Sequence, residues 1–161
     1  YFKNELFKNR IIKEVFALNA SIDFALKVSL AYSKKCKPLC QELGLPQTAF
    51  DILMFLANNP EYKTASDIVE VRKIKANLVS VNVEKLVQEG YLKRETVKGD
   101  RRKTHLICTD KAQSVIYKGR MVQESFFELL FENTDEEAKK SFFEVMDLMG
   151  KNLDKILDGG D

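Results

Sequence analysis

Between Glu89 and Thr109 the hydrophobic period of the chain changes, and no other feature restricts its fold as much. Upstream, apolar residues recur at steps of three and four, the spacing of one face of a helix. Downstream of Gly90, Tyr91-Leu92-Lys93-Arg94-Glu95-Thr96-Val97 and Lys103-Thr104-His105-Leu106-Ile107-Cys108 read as two strands. The five residues between them, Lys98-Gly99-Asp100-Arg101-Arg102, are polar and include a glycine, which suits a hairpin connection. One hairpin among helical patterns predicts a mainly α fold with a small β-hairpin.

The helical pattern is continuous on both sides. Residues 2–35 read as one long helix, with Ile11, Val15, Leu18, Ile22 and Ala25 as its stripe, and Lys37-Pro38 is expected to end it. Pro46 can occupy the first position of a second helix reaching about Ala57. Its residues Phe50, Ile52, Leu53, Phe55 and Leu56 are apolar nearly all round, which marks a buried centre. Asn58-Asn59-Pro60 terminates it. A short third helix begins at Thr64, whose hydroxyl can cap the Asp67 amide, and Ile68, Val69 and Val71 need a neighbour to bury against. A fourth, Lys75 to Glu89, puts Val79, Val83, Leu86 and Val87 on one face and stops at Gly90. After the hairpin, Thr109 can cap a fifth helix from Asp110 to about Phe131. A sixth follows Asn133-Thr134-Asp135, where Thr134 and Glu137 match a capping box. Phe142, Val145, Met149, Leu153 and Ile156 form its stripe.

Charge is segregated along this order. Residues 72–105 carry ten basic side chains against four acidic, a net of +6, while residues 121–161 carry four against eleven, a net of −7. Solvation of a surface explains scattered charge but not this separation; the middle of the chain is built to meet a polyanion. Helix, helix, helix and basic hairpin is the order of a winged helix-turn-helix, whose last helix fits the major groove, about 12 Å wide. A basic hairpin beside it reaches the backbone or the minor groove. With Val79, Val83 and Leu86 turned inward, Asn77, Leu78, Val81 and Lys85 face outward. Asn77 suits base edges, Val81 a thymine methyl and Lys85 a phosphate. Lys73, Lys75, Lys98, Arg101, Arg102 and Lys103 complete the expected DNA-binding set.

These residues resemble the multiple-antibiotic-resistance regulator (MarR) family. The resemblance is carried by Leu86-Val87-Gln88-Glu89-Gly90-Tyr91-Leu92, by Asp100-Arg101-Arg102 in the hairpin, and by Cys108-Thr109 leading into the next helix. Upstream, Leu43-Gly44-Leu45-Pro46-Gln47-Thr48-Ala49-Phe50-Asp51-Ile52-Leu53 is similar to the element that opens the family's second helix. The resemblance implies a homodimer in which N- and C-terminal helices interlock, with residues 1–36 a dimerisation helix, 37–109 the winged domain and 110–161 the C-terminal dimerisation helices. It also implies that Asp100 pairs with an arginine to stabilise the wing, although a turn aspartate would look the same. A small-molecule effector would sit between the dimerisation helices and the winged domain, where Phe24, Tyr32, Phe50 and Met54 would line its cleft; the same spacing also suits plain core. The chain departs from the family at Lys73, Lys75, Val81 and Ala112, which leaves the target sequence open.

Other classes fit less well. Cys36 and Cys40 stand one helical turn apart, so a redox-sensing regulator is an alternative, helped by Lys34, Lys35 and Lys37. A winged-helix module that binds protein instead of DNA is another, opposed by the basic hairpin. The single histidine, His105, and three cysteines cannot supply a four-ligand zinc site, so no metal or cofactor is expected. Without a nucleophile elbow or phosphate-binding glycine loop, no catalytic constellation can be assembled, and an enzyme is not expected. Hydrophobic residues form 45% of the chain, enough for a core. No apolar run approaches the ~18 residues of a membrane span and no leader pattern opens the sequence, so the expected location is the cytoplasm.

Overall fold

The computed structural model describes residues 2–97 and 99–159, with side chains for 16–97, 99–100 and 103–159. The elements are α1 (Phe2–Leu43), α2 (Gln47–Asn58), α3 (Ala65–Arg72), α4 (Ala76–Gln88), β1 (Leu92–Val97), β2 (Asp100–Cys108), α5 (Asp110–Leu130) and α6 (Glu136–Leu157). They fall into two compact units, one ending at Gln123 and the other beginning at Glu124.

In the first unit α2 lies at the centre, because its apolar residues run nearly all round it: Ala49, Phe50, Ile52, Leu53, Met54, Phe55 and Leu56 are all buried. On one side it meets Ile68 of α3, Val79, Val83 and Leu86 of α4, Leu92 and Leu106 of the hairpin, and Val115 and Ile116 of α5. On the other, Phe50 and Met54 pack with Cys36, Leu39 and Cys40 of α1. Gly119 makes room for this second cluster, since a Cβ there would collide with the Met54 thioether and press on the Phe50 ring.

Local chemistry sets the boundaries. Thr64 and Asp67 cap α3 reciprocally: the Asp67 amide donates to the Thr64 hydroxyl at 3.1 Å, and the Thr64 amide donates to the Asp67 carboxylate at 2.7 Å. Gly90 ends α4 at φ +75°. β1 and β2 pair antiparallel from Leu92 with Cys108 to Thr96 with Thr104, after which Val97 stands opposite Asp100. Residues 101–103 therefore bulge out of the ladder.

Several expectations are corrected. α1 does not stop at Lys37-Pro38 but runs through Pro38 to Leu43, and Gly44 at φ +63° follows it. The proline removes one helical hydrogen bond, but burial of Cys36, Leu39 and Cys40 on either side holds the turn together. Pro46 is the N-cap of α2, one position before the expected one. Val71 is exposed, because Ile68 alone fills the core position of the eight-residue α3. The hairpin connection is shorter than expected, with Asp100, Arg101 and Arg102 already in β2. Where a cap was expected, the Thr109 hydroxyl donates to the Gly90 carbonyl at 2.6 Å and fastens the hairpin's base to the start of α5.

In the second unit the end of α5 meets α6 through Phe127, Phe131, Phe142 and Phe143, whose ring centroids lie 4.8–5.8 Å apart. The α6 cap is Asp135 and not Thr134: its carboxylate accepts from the Ala138 amide at 2.7 Å, while the Thr134 hydroxyl donates to the Phe131 carbonyl. α6 buries none of its residues. Val145, Met149, Leu153 and Ile156 lie exposed, as do Leu18, Ile22 and Leu26 on α1. Among the described residues no helix is long and apolar enough to cross a membrane.

Candidate nucleic-acid interface

The candidate interface is built on α4. Val79, Val83 and Leu86 fix one side of the helix in the core, which leaves Asn77, Leu78, Ser80 and Val81 outside. Leu78 and Val81 keep 47% and 68% of their surface open. Lys75 is the N-cap of α4 and contributes no side-chain hydrogen bond, and the first turn holds no acid. The leading amides of α4 therefore offer an anion their partial positive charge.

Lys73 stands at the turn between α3 and α4 with φ +52°. A left-handed lysine is unfavourable by about 1–2 kcal/mol relative to the ordinary backbone, so the chain keeps a charge where glycine would fit better. Lys73, Lys75 and Lys103 are all exposed, and Lys85 is half-buried at the far end of the α4 stripe. Lys98 lies outside the described residues, and so do the side chains of Arg101 and Arg102. Asp100 opens β2 opposite Val97.

Ion pairs then sort the remaining charge. Arg94 of β1 donates to Glu84 of α4 at 2.9 Å, Lys85 meets Glu89 at 3.5 Å, and Lys93 meets Glu95 at 3.9 Å. All lie at the surface with their side chains at least a third open, so each contributes at most about 1 kcal/mol. Their effect is on pattern: three carboxylates of the basic segment are neutralised, while Lys73 and Lys75 have no acidic partner among the described residues. Partial burial by itself would raise the Asp67 pKa. The Lys63 and Thr64 amides, the Thr64 hydroxyl and the Lys103 charge outweigh it and hold the carboxyl below its ordinary value. The Lys103 charge thus acts on the start of α3.

Two features escape sequence reading. Asn82, on the inner edge of α4, is buried and donates to the Leu78 carbonyl at 2.8 Å. The Glu84–Arg94 bridge joins α4 to the hairpin across ten residues, a pairing that only the register of β1 reveals.

The four residues expected around an effector are not all brought together. Phe50 and Met54 are core, and Phe24 is exposed on α1. Tyr32 and Met54 do share a recess of about 240 Å³ with Asp51, Asn58, Arg72 and Gln123. There the Tyr32 hydroxyl accepts from the Gln123 amide at 3.1 Å, and Gln123 accepts from Asn58 at 3.0 Å. Burial raises both the Tyr32 phenol and the Asp51 carboxyl above their ordinary values. Cys36 and Cys40 are buried as well. Desolvation pushes the Cys36 thiol up and the Cys40 thiol up to about 11, the reverse of what a sensing thiolate requires. Among the described residues no three His, Cys, Asp or Glu side chains converge as a metal site.

Residues 43–103 match the MarR family. No curated protein matches the chain. Among solved structures, a MarR transcriptional regulator from Methanosarcina mazei Go1 is similar at 22% identity and TM-score 0.70, over 86% of this chain and 97% of that one. A MarR family transcriptional regulator from Listeria monocytogenes complexed with 26mer DNA is similar at 16% identity and TM-score 0.74, over 86% and 94%. The S. aureus MepR–DNA complex is similar at 14% identity and TM-score 0.68, over 81% and 95%. At these identities the likeness establishes a shared fold, the winged helix with flanking helices.

Proposed function

We propose that this chain, whose residues 43–103 match the MarR family, is a sequence-specific double-stranded DNA-binding transcriptional regulator. The observation that carries the reading is the exposed α4 stripe of Asn77, Leu78 and Val81. It is flanked by Lys73, Lys75 and Lys103, while the neighbouring acids are engaged by basic partners. α4 enters the major groove, Asn77 meets base edges and Val81 a thymine methyl. The lysines, with Lys98, Arg101 and Arg102 of the wing, meet phosphate or the minor groove. Asp100 stabilises the wing.

The functional unit is a homodimer on a pseudo-palindromic site, its recognition helices about 34–36 Å apart. Residues 1–36 and 110–161 supply the dimer and 37–109 the DNA reader. The open apolar faces of α1 and α6 support the dimer, and the similar structures solved with DNA support the reader. A small effector in the recess beside Tyr32 and Met54 would modulate it. The cytoplasm is where such a protein would act, and no catalytic step is assigned to it.

Selection of bound fragments from a random duplex pool tests the reading, and a two-fold symmetric consensus is expected. Neutralising about six phosphates gives a slope near −5 for log affinity against log salt. Arg101→Ala with Arg102→Ala should weaken binding to every duplex while the protein stays folded and dimeric. An unchanged affinity would remove the wing from the interface, and a flat salt dependence would favour a protein partner.

A further inference from the structure

The α4 stripe does not end in open surface. Lys85 stands one helical turn beyond Val81 and lines an open groove of about 960 Å³ together with Lys34 and Lys37 of α1 and Pro46 and Gln47 at the start of α2. Among the described residues no carboxylate lines this groove, and buried Cys40 and Leu45 are part of its lining. Lys34 and Lys37, three residues apart, share one face of α1, are exposed and have no acidic partner among the described residues. Lys85 shares its charge with exposed Glu89 at 3.5 Å, a weak tie. The N-cap of α2, Pro46, supplies no side-chain acceptor, and the first turn of α2 holds no acid, so the partial positive charge of that helix end adds to the lysines.

From this juxtaposition we propose that Lys34 and Lys37 of α1 form a second contact for the DNA phosphate backbone, outside the helix-turn-helix and the wing and continuous with Lys85 of α4. The proposal rests on the DNA-binding reading and extends it to α1. At a rise of 1.5 Å per residue, Asn77 and Lys85 lie about 12 Å apart along α4, close to the width of the major groove. With Asn77 over the bases, Lys85 stands at the edge of the groove, where one sugar–phosphate strand runs. Lys34 and Lys37 continue the cationic path from that edge. An open basic trough suits an extended polyanion such as this strand, which spans several charges at once.

The test is fluorescence anisotropy over a potassium chloride series, with a labelled duplex that the unmodified dimer has selected from a random pool. Lys34→Gln with Lys37→Gln should reduce the magnitude of the salt slope by about 1.8 per protomer, from about 0.9 per lost contact. It should weaken selected and random duplexes alike. Lys34→Arg with Lys37→Arg should keep the original slope. Lys151→Gln with Lys155→Gln, which removes the same charge from α6, should keep it too. An unchanged slope in the Gln variant overturns the proposal and leaves the DNA-binding reading standing, as does an equal loss in the α6 variant. A flat slope in the unmodified protein overturns both.

Discussion

Lys73 is strained, and that can be measured. At φ +52° a glycine is relaxed where lysine is not. Lys73→Gly should therefore stabilise the fold by roughly 0.5–1 kcal/mol in urea unfolding, while DNA binding weakens and its salt slope falls by about 0.9 per protomer. A loss of stability would show that the lysine side chain holds the turn. Cys40 makes a different prediction. Its folded thiol lies near 11, above the ordinary value of about 8.5. The unfolded chain thus releases its proton first as pH rises. Stability from this group is intact below about pH 8.5 and is lost as pH climbs toward 11. Cys40→Ala should flatten the alkaline limb of a stability–pH curve, and an unchanged limb would assign it to other groups such as the Tyr32 phenol.

Among elements, the contact of α5 with α2 depends on one missing side chain. Gly119→Ala places a Cβ against the Met54 thioether and the Phe50 ring and should cost about 1–3 kcal/mol in chemical denaturation. Met54→Ala in the same chain should recover part of that loss, and strict additivity of the two substitutions would refute the steric account. This contact was not legible in the sequence, where Gly119 reads only as a weak helix residue. Elements whose cause is local were legible: the Thr64–Asp67 cap, the α4 core face of Val79, Val83 and Leu86, and the stop at Gly90. Pro38 misled because its cost is local while the burial of Cys36, Leu39 and Cys40 that offsets it is tertiary. At the start of α6, Thr134 and Asp135 are both good caps, and composition cannot choose between neighbours. The outward face of α4 followed from its inward one. The Glu84–Arg94 bridge did not, because it depends on strand register.

At the scale of the whole molecule, the open apolar faces argue for association. Met149→Glu with Leu153→Glu on α6 should shift sedimentation toward monomer and abolish high-affinity binding to a two-fold symmetric duplex, while the winged domain keeps its fold. A dimer that survives both charges would place the interface elsewhere. The three ion pairs around α4 and the hairpin have a consequence in time as well as in space. By engaging Glu84, Glu89 and Glu95 locally, they keep isolated acids from interrupting the basic segment that, on the proposed function, an approaching duplex would meet. Such a field speeds diffusional encounter and orients the collision before any base is read. Arrival would then be governed by ionic strength, and the lifetime on a particular sequence by the few side chains of α4.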